Sequence, residues 1–182
     1  MAVDITLIRA YTNGAVYTTD PNVSATAPVD AGTGLHANFK EVGAISEDGI
    51  TESTSQDRTD VYIWQNNTLA RRIPGQFNKQ WVLAASETNM MTLGVQFAGS
   101  TITQTAEGVS IAEKAPTTDI RQWVLHGIDG NDAQRIYVPL GEVTERGDVV
   151  WSAGGVTVYE WTLTAYVDGS GNFAYRFIAS DA

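Results

Sequence analysis

A mainly β protein, an antiparallel sandwich or barrel with one α-helix on its flank, is what three properties of this sequence predict. Short segments that alternate apolar and polar residues recur along the chain, with Gly, Asn and Asp clusters between them. One segment alone has convincing helical spacing. The chain has no cysteine, so packing and hydrogen bonds rather than disulfides or thiolate–zinc sites must hold the fold.

The elements follow in order. Val3, Ile5 and Leu7 alternate with Asp4 and Thr6, which predicts a short first strand. Residues 12–38 are rich in Thr, Ala, Gly, Asn, Asp and Pro and offer little to anchor them. Loops beyond about 12–15 residues are uncommon in compact domains unless functional or disordered, so this segment is expected to be a flexible arm that orders on a partner or a floppy surface loop. Residues 42–64 read as a long hairpin. Val42–Ile45 leads into a turn at Glu47-Asp48-Gly49, and Val61–Trp64 returns. Thr51–Asp60 within it is polar on both faces, so it projects into solvent or is covered by another chain.

Phe77–Leu83 predicts another strand, with Lys79 as an exception on its apolar side. The helix is expected over 86–98. Ser86 is its cap, Glu87 suits its positive end, Met90, Leu93, Gly94 and Phe97 share its apolar face, and Gly99 ends it. Strands resume at Val109–Ala112, Ile120–Leu125 and Ile136–Val143. From Val156 to Val167 the residues Thr157, Tyr159, Trp161, Leu163, Ala165 and Val167 form one mostly apolar face, with Glu160, Thr162 and Thr164 opposite. Asp168–Asn172 then reverses the chain, and Phe173–Ile178 closes a C-terminal hairpin. These elements make one domain over 1–182, comprising an N-terminal strand and arm (1–41), the hairpin (42–64), the helix (86–98) and C-terminal strands (101–182).

Chemistry is hard to find in this chain. His36 and His126 are its two imidazoles, and nothing brings them together. There is no nucleophile elbow, P-loop or dinucleotide fingerprint. Asp168–Asn172 spaces oxygens as a calcium loop does, but Phe173 and Ala179 occupy the glycine and bidentate-glutamate positions. Glu47 and Asp48, adjacent on a strand, point to opposite faces and cannot flank a glycosidic bond. The sequence therefore implies no enzyme, no metal and no cofactor. Five tryptophans, Trp64, Trp81, Trp123, Trp151 and Trp161, could stack a sugar, but most fall on apolar alternating faces and read as core. Trp151, beside Ser152–Gly155, is the one expected to be exposed.

Lys and Arg number 11 against 21 Asp and Glu, a formal charge of -10, which repels nucleic acid and anionic membranes. The N-terminus lacks the basic start and apolar core of a signal peptide, and no apolar run is long enough to span a membrane. A soluble protein made in the cytoplasm is expected.

The run Val42–Ser53, the helix from Glu87 to Gly99, and Val143–Val149 together with Leu163–Tyr166 occur in an order that resembles the major tail proteins, or tail tube proteins, of long non-contractile-tailed bacteriophages. The likeness extends over roughly Val42–Ile178; Val167 departs from it, where such proteins often have proline. It implies a structural virion subunit whose hexameric rings stack into a tube, with one sheet of each subunit lining the channel and a long hairpin and terminal arms bridging rings. It also implies tape measure, tail terminator and distal tail proteins as partners, and DNA passing through without tight binding. On that basis Glu52, Asp57, Asp60, Glu142, Glu145 and Glu160 are candidate lumen acids. Thr51, Ser53, Ser55, Gln56 and Arg58 are candidate inter-ring contacts. The alternative is a carbohydrate-binding or adhesin-like β-sandwich of a phage tail, with Trp151 as its stacking platform.

Overall fold

The computed structural model describes Asp4 and residues 7–179. It is mainly β, antiparallel throughout, with one flanking helix. The strands are β1 (Asn13–Thr18), β2 (Lys40–Glu41), β3 (Ile45–Ile63), β4 (Thr68–Ala85), β5 (Thr101–Thr105), β6 (Gly108–Ala112), β7 (Ile120–Asp129), β8 (Asp132–Arg146), β9 (Tyr159–Ala165) and β10 (Tyr175–Ala179). The helix α1 is Met90–Gln96. The main sheet has the order β2-β1-β7-β8-β9-β4-β3, with β10 also on β8, and β5–β6 is a separate hairpin.

Strand β8 joins the two halves of the sheet. Along its length it pairs with β7, while its C-terminal half pairs with β9 on the other edge. The core lies on one face of both halves: Val16 of β1, Leu125 of β7 and Val138 of β8 come together with Trp81 and Leu83 of β4 and Trp161 and Leu163 of β9. The Trp123 and Trp161 rings meet edge to face at 6.3 Å, a geometry that aligns ring edge with π-cloud. Of the alternating face expected over 156–167, Tyr159, Trp161, Leu163 and Ala165 are buried, whereas β9 ends at Ala165 and Val167 is exposed. Gly141 sits where a Cβ would come within 2.7 Å of the Trp123 indole, so the tryptophan pair depends on a residue without a side chain.

Four expectations are corrected. The hairpin does not turn at Glu47-Asp48-Gly49. Those residues form an irregularity inside β3, where the register jumps between Ile45 and Ile50 and Gly49 takes a positive φ of 66°. The turn lies at a 3-10 segment, Gln65–Asn67, in which Asn66 and Asn67 adopt the left-handed conformation that asparagine tolerates. The hairpin therefore runs over β3 and β4 and takes in the separately expected Phe77–Leu83 strand.

The helix begins later than expected. Asn89, not Ser86, is the cap, its side chain accepting from the Thr92 amide at 2.9 Å. Ser86 instead donates its amide to Ala44, and Glu87 accepts from the Ala44 amide. Both tie the strand ends together rather than starting a helix. Met91, Thr92, Leu93 and Val95 are the helix residues that become buried.

The C-terminal reversal is not a hairpin. Asp168 does cap a tight loop, accepting from the Ser170 and Asn172 amides. β10 then pairs with β8, Tyr175 opposite Tyr137, on the edge that β9 occupies further along, with Ala165 opposite Gly141. It thus runs in the same direction as β9, and the loop is an excursion between two stretches that share a neighbour.

The 12–38 segment is not an unanchored arm. Residues 13–18 form β1. The following stretch covers the non-core face of β7 and β8, with Phe39, Leu35 and Ala25 packed on Val124 and Tyr137. Arg135 donates to the Asp30 and Thr33 carbonyls at 2.9 and 2.7 Å, and Gln122 accepts from the Ala25 amide at 2.6 Å. Its anchors are polar side chains on strands, so periodicity does not reveal them. The strand expected at Val3–Leu7 falls mostly outside the described residues; Leu7 donates its amide to the Asp4 carbonyl.

Candidate functional site

Because paired residues on neighbouring strands point to the same side of a sheet, the register sorts the candidate acids by face. Glu142 is opposite Thr164, Glu145 opposite Thr162, and Glu160 opposite Ala84. All three lie on the face away from the tryptophan core. Thr51, Ser53 and Ser55 of β3 join it through Val82, Gln80 and Asn78 of β4. The result is a continuous surface of carboxylates, hydroxyls and amides over β8, β9, β4 and β3. Among the described residues of these paired segments it carries three acids and no Lys or Arg.

Hydroxyls link this surface laterally. Thr144 and Thr164 share a 2.8 Å hydrogen bond, Gln80 donates to Thr164 at 3.0 Å, and Tyr166 donates to Glu142 at 2.6 Å. The bond to Glu142 is the main cause that raises the Tyr166 hydroxyl above its ordinary pKa of 10.0, with burial and the carboxylate charge adding to it.

The other three acids lie elsewhere. Glu52 is opposite Trp81, on the core side, where it pairs with both Lys79 and Arg176. Partial burial opposes its ionisation, but the hydrogen bonds from Lys79 and Arg176 more than offset that, leaving the carboxyl below its ordinary 4.5. Lys79 also stands 5.4 Å over the Trp81 ring, which accounts for a lysine on an apolar side. Asp57 and Asp60 are on the projecting part of the hairpin. Asp57 sits at a register shift across from Gly75, and Asp60 pairs with Arg72 at 2.8 Å. Of the contact candidates, Gln56 faces the same side as Phe77 and Glu52, and Arg58 is further out, opposite Pro74.

The projection is long. β9 supports β4 only over Gln80–Ala85, so beyond that the two strands form a ribbon exposed on both faces. Phe173, its ring tilted 50° against Phe77 at 4.7 Å, and Arg176 brace its base. At its tip Trp64 is 97% exposed. Trp151 is 87% exposed, as expected, while Trp81, Trp123 and Trp161 are buried. Sequence reading missed Trp64, which the misplaced turn had put in a returning strand; the Asn66-Asn67 pair was the signal that could have located it.

An uncovered polar face and a ribbon that the subunit itself does not bury are features of a protein completed by other chains. The whole chain, residues 1–182, matches the family described as phage tail tube protein. The chain belongs to that family. Among curated proteins, none matches it. As a tail tube protein it is a structural component of the virion tail that assembles with itself and with other tail parts. No helix among the described residues is long and apolar enough to cross a membrane, and no group of three or more metal-ligating side chains occurs among them.

Proposed function

We propose that this tail tube subunit forms hexameric rings that stack into the tube of a long non-contractile tail, the conduit for DNA during ejection. The observation that carries the reading is the uncovered face of β8, β9, β4 and β3, where Glu142, Glu145 and Glu160 lie among threonines and serines with no cation. Such a face suits a channel wall. A polyanion binds where cationic groups neutralise its phosphates and set its condensed counterions free into solution, and this face has no such group to offer. Six copies at -10 each would carry 6 × -10 = -60 per ring. In this reading Thr51, Ser53 and Ser55 belong to the wall, Gln56 and Arg58 to contacts between rings, and Glu52 to the base of the hairpin. Tape measure, tail terminator and distal tail proteins are the partners at the lumen and the two ends. The domain is the whole chain, with the ribbon as its bridging element.

Cryo-electron microscopy of tubes grown from concentrated protein tests this. Sixfold rings whose lumen is lined by β8, β9, β4 and β3 are the expected result. A wall made by another face, or a basic wall, would overturn it. A persistent monomer that binds glycans would favour the adhesin-like alternative, with Trp151 as platform.

A further inference from the structure

Asn13-Gly14 is the one Asn-Gly pair in the chain, and it opens β1 with both residues exposed. Asparagine before glycine is prone to self-modification, because the following backbone nitrogen can reach the side-chain carboxamide and glycine has no Cβ to obstruct it. A strand ordinarily suppresses this reaction. Its amides are held in ladder hydrogen bonds, and the backbone must open locally before they can react.

That protection is missing at Gly14. Along an antiparallel strand, the N–H and C=O of one residue point to one edge and those of the next residue to the other. The Val16 carbonyl accepts from the Val42 amide on the β2 edge of β1, so the Gly14 amide, two residues earlier, points to that edge and away from β7. Among the described residues, β2 pairs with β1 at Tyr17 and Thr18 and does not extend to Gly14. The Gly14 amide therefore lies outside both ladders, and it donates at 2.8 Å to Oδ1 of the Asn13 side chain. The attacking nitrogen and the carboxamide are already held together. Glycine is also required at this position, because a Cβ would run into the His126 carbonyl oxygen of β7. Close packing of the two strands thus keeps the least hindered neighbour next to Asn13. Water has access as well: Asn13 and Gly14 border an open cleft of about 570 Å³, whose lining also includes Glu47 and Asp48.

We infer that Asn13-Gly14 is a site of spontaneous deamidation in the folded subunit, and that the isoaspartate it yields breaks the register of β1 on β7. The Gly14 nitrogen gives up its proton and bonds to Cγ of Asn13, the Cγ–Nδ2 bond breaks, and ammonia leaves with that proton. Water then opens the cyclic imide. Breaking the bond from nitrogen to Cγ gives aspartate, whereas breaking the bond from nitrogen to the Asn13 backbone carbonyl carbon gives isoaspartate, whose main chain runs through Cβ and Cγ. No oxidant, reductant or enzyme takes part. Either product adds a negative charge to the cleft that Glu47 and Asp48 line. Isoaspartate also adds a methylene to the main chain, which cannot then keep both Asn13 opposite Ile128 and Ala15 opposite His126.

Peptide mapping of the full chain, aged in the folded state at mildly alkaline pH, tests this, with isoaspartate read by enzymatic methylation. Conversion at Asn13 is expected within about tenfold of its rate in the urea-unfolded chain, because no ladder bond has to open first. Slower conversion than that, or faster conversion at another asparagine, overturns the site. Freshly purified Asn13→Asp carries the charge without the added methylene, and so isolates the effect on β1. Amide exchange over 15–17 is expected to be about tenfold faster in the isoaspartate form than in Asn13→Asp. Equal exchange in the two would overturn the loss of register.

Discussion

Three side chains show how single residues carry this structure. Trp161 is wholly buried, meets Trp123 edge to face and donates from Nε1 to Gln96 at 2.8 Å, joining β9 to the helix. Trp161→Ala is expected to cost about 3–5 kcal/mol in urea unfolding. Arg135 holds the 20–39 cover through two carbonyls. Arg135→Met is expected to lose about 1–3 kcal/mol and to speed amide exchange in that stretch well before the β7–β8 core. Glu52 has its carboxyl held below 4.5. Its contribution to stability is full above that value and lost as pH falls through the lower folded value. Glu52→Gln should therefore flatten the acid limb of the stability profile, measured by denaturant midpoints at stepped pH.

At the scale of elements, burial decides how much of the fold is legible in the sequence. β7, β8 and β9 lie where alternation places them, because each has a face buried in the tryptophan core, and β6 lies there too although its residues are mostly exposed. The ribbon of β3 and β4 buries neither, so nothing in its pattern separates a turn from a kink, and Gly49 draws a reversal that belongs at Asn66-Asn67. Pairing partners were equally hidden. The chain leaving Asp168–Asn172 contains no signal that β10 will rejoin β8 rather than β9; that choice comes from Tyr175 stacking on Tyr137 and Phe77 packing on Phe173. Excising 56–77 and linking Ser55 to Asn78 by Asn-Gly should leave a cooperative fold that does not polymerise, since β4 keeps its Gln80–Ala85 pairing with β9. Circular dichroism and sedimentation check both halves. Loss of the fold would show the ribbon to be part of the core.

For the whole molecule, charge and topology have to be taken together. A formal charge of -10 could be spread evenly. Instead Glu142, Glu145 and Glu160 gather on one uncovered face, while Glu52 is neutralised at the hairpin base by Lys79 and Arg176. Changing the three face acids to lysine is expected to leave the subunit folded, because their side chains lie off the core. It should make assembled tubes retain DNA in a salt-dependent way, read by filter binding from about 50 to 200 mM salt. Tubes that still do not bind DNA would count against this face as the wall.

Composition and periodicity alone determined the class of this protein: mainly β, one helix, no cysteine and an acid excess. These are local properties, readable because one-sided burial imprints a period on the residues that undergo it. Only the tertiary structure decided which acids share a face, where the hairpin turns and what anchors residues 20–39. Those depend on register and on contacts between residues far apart in the chain, such as Arg135 with Asp30 and Glu52 with Arg176, and no local pattern encodes them.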